Sequence, residues 1–232
     1  MRIAIVGYGR MGHAVEAAAV ARGHSVVATI DLPGNEAGRA LTRERLAGAD
    51  VAVEFTTPAA APVNIEQLIA AGVPVVCGTT GWAAELPRIE ALVRARGGAL
   101  LYAGNFSIGV QLFLRAARDL AGRFAGHAGF DAFIVEEHHA RKIDAPSGTA
   151  ITLRQGVSAA DPARAFPITS IRAGAIPGTH RLSYDGPYDT VTLTHEARSR
   201  DGFAAGAVAA AEWLPGRRGV FTFEEMLFGD RP

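Results

Sequence analysis

Along the first half of the chain, short apolar runs rich in Val and Ile alternate with longer stretches of helical character. The runs are RIAIV (2–6), SVVATI (25–30), DVAVEF (50–55), VPVVC (73–77) and ALLYA (99–103). The alanine-rich stretch HAVEAAAVARG follows the first run and ends at Gly23, a natural helix stop. Further helices are expected up to Gly72 and through about residue 96. Strand and helix in alternation predict a Rossmann-type, doubly wound parallel sheet, an α/β architecture that binds ligands beyond the carboxyl ends of its strands.

After residue 106 the pattern changes. Ile108, Leu112 and Ala116 recur at helical spacing within 107–124, and FDAFIVEEHH (130–139) alternates apolar with polar as a half-covered strand does. PITSIRA, HRLSY and TVTLTHEA are further strands, joined by turns such as Asp185-Gly186-Pro187. Strands in quick succession predict a second α+β domain with a mixed or antiparallel sheet. GFAAGAVAAAEWL (202–214) returns to helix, and TFEEML starts another with a capping box from Thr222 to Glu225. The terminal helices are expected to rejoin the first domain. The expected division is 1–105 with 204–232 for one domain and 106–203 for the other, with hinges near Asn105 and Phe203.

Composition narrows the partner. Lys plus Arg equals Asp plus Glu at 23 each, so no field favours nucleic acid or an anionic membrane. Cys77 is the only cysteine, which rules out an intrachain disulfide and fits a cytoplasmic setting. No signal-peptide pattern opens the chain, and no apolar stretch approaches the roughly 20 residues of a membrane helix. A small molecule is the expected partner.

The strand-end loops say which. Gly7-Tyr8-Gly9-Arg10-Met11-Gly12 sits between a strand and a helix, and Asp31 closes the second strand near the roughly 20-residue spacing of a ribose-binding acid. Glycines there permit a tight turn and close approach of backbone to a pyrophosphate at a helix N-terminus. The loops TTP, Gly78-Thr79-Thr80-Gly81 and Ala103-Gly104-Asn105-Phe106 line the same edge with small or hydrogen-bonding groups. Together they predict a nicotinamide dinucleotide site. No arginine adjoins Asp31, which is followed by Leu32, Pro33 and Gly34, so free ribose hydroxyls and hence NADH are favoured over NADPH. Arg39 and Arg43 are the residues able to fold back onto a 2′-phosphate.

The second domain carries VEEHHARKIDAPSGTA (135–150). Its Pro146-Ser147-Gly148-Thr149 reads as the first turn of a helix, a cradle for a carboxylate or phosphate. Lys142 and His139 add positive charge, and His138 can exchange a proton near neutral pH. The plainer reading is a solvated loop whose acids and bases pair off and whose serine merely caps. A metal site is not expected, because adjacent histidines point to opposite faces of a strand.

EEHHARKIDAPSGTA resembles the E-x-H-H-x-x-K-x-D-A-P-S-G-T-A signature of the 4-hydroxy-tetrahydrodipicolinate reductase (dihydrodipicolinate reductase) family. GRMG (9–12), GTTG (78–81), NFS (105–107) and THEARSRDGFAAGAV extend the resemblance over the whole chain. The glycine loop is one residue shorter than in many relatives, Glu54 replaces the usual aspartate, and Gly104 precedes the asparagine. The resemblance implies NAD(P)H-dependent reduction of a dehydrated imine of 4-hydroxy-tetrahydrodipicolinate in diaminopimelate and lysine synthesis. It further implies His138 and Lys142 as proton donors, substrate binding by His139, Lys142, Ser147, Gly148, Thr149 and Arg200, and a homotetramer formed through the second domain's sheet. Another amino-acid or semialdehyde dehydrogenase, or a non-catalytic NAD(H) sensor, would share the glycine loop but has no need of HHARKIDAPSGTA.

Overall fold

A computed structural model describes residues 1–199 and 201–229. The chain divides into two compact units, Met1–Ser107 with Asp201–Pro232, and Ile108–Arg200. Phe106, expected to open the second domain, packs in the core of the first unit, and the helix that begins at Asp201 belongs wholly to that unit.

In the first unit, strands β1 (Arg2–Val6), β2 (Ser25–Ile30), β3 (Val51–Glu54), β4 (Val75–Cys77) and β5 (Ala99–Tyr102) are joined by helices. These are α1 (Arg10–Ala21), α2 (Ala61–Ala70) and α3 (Leu86–Ala95). The sheet is entirely parallel, and its sixth strand is β10 (Gly219–Thr222) beside β5, giving the order β10-β5-β4-β3-β1-β2. Both faces are covered. Val6, Ala52, Val75 and Leu100 pack against α2 and α3, while Ile5, Val53, Val76 and Leu101 pack against α1 and α6 (Asp201–Trp213). This explains why the strands read as continuous apolar runs. Strand β10 is not visible in the sequence pattern. Its four residues, GVFT, are too short for a visible period, and only pairing with Ala99–Tyr102 makes them a strand. Helix α1 starts at Arg10 rather than beyond Gly12.

The second unit has one long helix, α4 (Ile108–Phe124), followed by β6 (Asp131–His138), α5 (Gly148–Ala160), β7 (Ile168–Arg172), β8 (Thr179–Asp185) and β9 (Thr190–Glu196). Its sheet order is β7-β6-β8-β9, with β6 parallel to β7 and antiparallel to β8. Ala132, Ile134, Glu136 and His138 alternate onto one face of β6, which is buried. Ala132 and Ile134, with Leu182 and Tyr184 of β8, form a core with Phe113 of α4 and Leu153 of α5. Phe124 stacks on Tyr184 with ring centroids 4.1 Å apart. Phe133 and Ile171 lie on the outward face, partly exposed. After α6 and β10, helix α7 (Phe223–Phe228) closes the first unit, and its Thr222–Glu225 capping box forms as expected.

Candidate active site

The first unit's strand order reverses between β1 and β3, the switch point at which open α/β sheets bind ligands. Gly7 has φ +88°, and a Cβ there would lie 2.0 Å from the Phe55 carbonyl oxygen, so only glycine allows the loop after β1 to pass the end of β3. Gly9 differs: it is exposed at the start of α1, and a Cβ on it would meet nothing within 4 Å. A side chain there would fill the space in front of the helix N-terminus, where a pyrophosphate belongs. These residues fit a dinucleotide.

Asp31 braces the glycine loop. Its Oδ2 accepts the Tyr8 N–H at 2.8 Å and its Oδ1 the Leu32 N–H at 2.8 Å. An ionised carboxylate has lone pairs to spare for hydroxyls. Arg10 is exposed, and Gly12 and Met11 lie within α1. Thr79 is buried: its Oγ1 accepts the Thr56 N–H at 2.7 Å and its carbonyl accepts the Trp82 indole N–H at 2.8 Å. It ties the TTP and GTTG loops together, leaving Gly78 half-buried and Thr80 exposed. Ala103 N–H donates to the Cys77 carbonyl, and Asn105 Oδ1 accepts the Ser107 N–H. Gly104 is exposed, but the Phe106 ring is buried against Phe55 and Phe223. Any cofactor contact from Phe106 falls to its backbone. Cys77 is a buried thiol whose pKa rises through burial and the neighbouring Glu54 carboxylate, the inert role its apolar run implies.

In the second unit the candidate residues gather where the buried face of β6 turns from apolar to polar. Glu136 and His138 follow Ile134 on that face, His180 lies opposite Glu136 on β8, and Arg172 lies opposite His138 on β7. Glu136 is fully buried. Its Oε1 accepts three donors: the Ser147 N–H (3.1 Å), the Ser170 hydroxyl (2.6 Å) and Arg172 Nη2 (2.7 Å). Arg172 Nη2 also donates to the Asp144 carbonyl at 2.6 Å. The loop between β6 and α5 is thereby pinned at Asp144 and at Ser147 to one buried ion pair.

Lys142 lies on that pinned loop. Its Nζ donates to both Asp144 oxygens at 2.7 and 2.9 Å, which is the acid–base pairing of the plainer sequence reading. His139 is half-buried and its carbonyl accepts the Lys142 N–H at 3.0 Å. Helix α5 begins at Gly148, so Pro146 lies outside it and Ser147 is its N-cap. The Ser147 hydroxyl, buried, accepts the Ala150 N–H and lies 3.2 Å from His180 Nε2. Ser147 therefore shapes the helix start from within, while exposed Gly148 and half-buried Thr149 form its outer surface. Arg200 lies outside the described residues.

Charge is distributed unevenly here. Burial alone would raise the Glu136 carboxyl, but hydrogen bonds from Ser147, Ser170 and Arg172 outweigh it and hold it at about 2. Burial lowers His138, opposed by Glu136 and reinforced by Lys142 and Arg172. Burial, with His138 nearby, pushes His180 down to about 4. Glu136, His138 and His180 bring three donor atoms within 4.8 Å of one another. They do not fit a divalent cation, because the Arg172 guanidinium already occupies one side of the carboxylate. Glu136, His180 and Arg172 escaped the sequence analysis as site residues. Glu136 could have been found two positions before His138 on one strand face; the other two are brought in only by strand pairing.

A doubly wound unit with an open glycine loop at its switch point, and a second unit with a histidine and lysine beside a helix start, define a class: a nicotinamide-dependent oxidoreductase. Residues 1–106 match the family described as "Dihydrodipicolinate reductase, N-terminus" and residues 109–227 its C-terminus. The chain belongs to the dihydrodipicolinate reductase family. It is 38% identical to the 4-hydroxy-tetrahydrodipicolinate reductase of Christiangramia forsetii, over 98% of each chain. It is 36% identical to that of Thiobacillus denitrificans, again over 98% of each. Its fold matches a dipicolinate-bound dihydrodipicolinate reductase from Paenisporosarcina sp. TG-14 with a TM-score of 0.82 at 24% identity, covering 97% of this chain and 99% of that one. The activity is 4-hydroxy-tetrahydrodipicolinate reduction in lysine and diaminopimelate biosynthesis, in a family that uses NAD(P)H. Among the described residues no helix is long and apolar enough to cross a membrane.

Proposed function

We propose that the species reduced is the cyclic dehydrated imine of 4-hydroxy-tetrahydrodipicolinate, that NADH is the preferred reductant, and that the second unit holds the substrate. When bound, the nicotinamide supplies the hydride. Gly7, Tyr8, Gly9, Arg10, Met11 and Gly12 take the pyrophosphate side, Asp31 the ribose, and Gly78, Thr79, Thr80 and Ala103–Phe106 the nicotinamide side. His139, Lys142, Ser147, Gly148, Thr149 and Arg200 bind the two carboxylates of the ring. Dipicolinate, the ligand of the Paenisporosarcina structure, is a planar dicarboxylate of the same class. As hydride adds, an electron pair moves onto the ring, and His138 and Lys142 deliver the proton while Lys142 offsets the growing negative charge.

The observation that carries this reading is the double fastening of the 139–147 loop by Glu136 and Arg172. It holds the loop that carries Lys142 in place ahead of the exposed start of α5, where the lysine exchanges its Asp144 partner for a substrate carboxylate. Asp31, exposed and without an adjacent arginine, supports NADH. A tetramer in the cytoplasm completes the reading; the outward sheet face with Phe133 and Ile171 suits a docking surface between copies. The test is oxidation of NADH or NADPH with freshly condensed pyruvate and aspartate semialdehyde. Turnover with a higher kcat/KM for NADH supports the proposal. A clear preference for NADPH overturns the cofactor assignment, and light scattering that gives a monomer mass overturns the tetramer.

A further inference from the structure

Two buried polar atoms in the second unit stand without a hydrogen-bond partner although they face each other. Glu136 Oε2 and His138 Nδ1 are 2.9 Å apart, within ion-pair distance but not aligned for a hydrogen bond. A buried donor or acceptor left unpaired is destabilising, and a small rotation of the imidazole pairs both. The carboxylate cannot turn away, because Ser147, Ser170 and Arg172 hold its other oxygen.

We propose that Glu136 is a positioning residue for His138: its Oε2 accepts a hydrogen bond from the imidazole Nδ1–H and leaves Nε2 as the atom that gives up a proton during reduction. The inference rests on His138 being the proton donor. In the step, hydride adds to the conjugated imine with its electron pair, and the displaced pair takes the proton from the Nε2–H of a protonated His138. The N–H bond breaks, its electrons stay on the ring nitrogen, and a neutral imidazole remains with its proton on Nδ1. Glu136 steadies the imidazolium before the transfer and the correct tautomer after it.

The surroundings favour this assignment. From β8, His180 presents its Nε2 4.0 Å from the same Oε2, but that nitrogen lies nearer the Ser147 hydroxyl, at 3.2 Å. From β7 comes the Arg172 cation, and from the loop come Lys142 and Asp144. Two cationic neighbours, Lys142 and Arg172, work against a proton on His138, and burial does so more strongly. Glu136 is the buried carboxylate that works the other way. On the Nε2 side stands Gly178, where an added Cβ would lie 3.2 Å from that nitrogen.

Glu136→Gln tests the role sharply. Three donors at the Oε1 position select the amide oxygen there, so the amide NH2 faces Nδ1 and demands an unprotonated nitrogen. The expected result is a fall in kcat of about 10²-fold near neutral pH. The limb of the kcat profile that reports loss of the His138 proton should move to lower pH, and NADH binding should be unchanged. In a His138→Gln background the same substitution should do little, whereas a merely structural role would lower kcat by the same factor in both. The tautomer itself is read from 15N histidine spectra of the unaltered enzyme, where neutral His138 should carry its proton on Nδ1. An Nε2–H tautomer there, or equal effects of Glu136→Gln in both backgrounds, overturns the proposal. Should His138→Gln retain normal kcat, the proton-donor reading falls instead, and the tautomer measurement still decides the Glu136 contact, even if Glu136→Gln fails to fold.

Discussion

The two sheets of this protein solve the placing of chemistry in opposite ways. In the first, β1, β3 and β4 are buried on both faces, Glu54 and Cys77 at their ends being buried and paired with each other, and the candidate residues sit in loops beyond the strand ends. In the second, one face of β6 runs from Ala132 and Ile134 in the core to Glu136 and His138 in the site. There the strand itself delivers the reactive group. A parallel sheet covered by helices binds a large, extended cofactor with backbone and loops; a one-sided sheet can seat a buried acid–base pair at fixed strand spacing.

The largest effect expected from breaking this contrast is in the first sheet. Ile5, fully buried on β1, touches no loop residue's chemistry, and Ile5→Ala should lower stability by about 2–5 kcal/mol. Denaturant unfolding followed by Trp82 and Trp213, both in the first unit, measures it.

Next come His138→Gln and Lys142→Met, each expected to lower kcat by roughly 10²-fold, about 2.7 kcal/mol in barrier. His138→Gln should leave KM nearly unchanged and Lys142→Met should raise it, while titration with NADH should show intact binding in both. The double variant should fall well short of the product of the two losses, because both act on one developing charge. A His138→Gln enzyme with full kcat would reduce that residue to a structural one.

Acid should separate the two units. His180, pushed down to about 4 by burial, is neutral when folded and gains a proton on unfolding. Its contribution is complete above pH about 6.5 and drains as pH falls towards 4, by up to about 1.4 kcal/mol per pH unit. Glu136 acts later, its contribution present above about 4.5 and lost towards 2. In the first unit, Glu212, held at about 2 chiefly by its hydrogen bond from Arg22, likewise matters only below 4.5. Near-ultraviolet signals from the second unit's tyrosines should therefore change at a higher pH than tryptophan emission from the first. Coincident transitions would refute the separation.

Smaller is Thr149→Val, which removes a hydroxyl from the helix start while keeping its shape. An increase in KM of about tenfold is expected, with kcat little altered. The smallest effect belongs to the outward face: Phe133→Ser should change the stability of an isolated chain by less than about 0.5 kcal/mol. Its consequence should appear instead in the mass measured by light scattering, if that face joins copies.

Much of this was legible in the residues. Continuous apolar runs mark strands covered twice, and alternation in FDAFIVEEHH marks one covered once, because side-chain direction has a period of two. The glycine loop announces itself, since a turn at φ +88° with a carbonyl 2.0 Å from the Cβ position admits no other residue. Ser147 was legible as a cap, yet its burial against His180 was not. Thr79 and Phe106 are expected to be cofactor contacts from their loops; that their side chains also brace and pack those loops is a duty that local sequence does not encode.

What the sequence determined by itself was therefore local: period, turns, caps and the order of chemical groups along each segment. Tertiary structure alone decided which segments meet. GVFT becomes β10 only because Ala99–Tyr102 offers an open edge, as four residues cannot hold strand geometry unaided. Glu136, Arg172 and His180 belong to three strands separated by loops and a helix, and only the register β7-β6-β8 sets them around one carboxylate. Hydrogen bonds between strands fix that register, and burial of Ile134 and Leu182 on the same face keeps it from slipping, since a shift of one residue would turn the core outward.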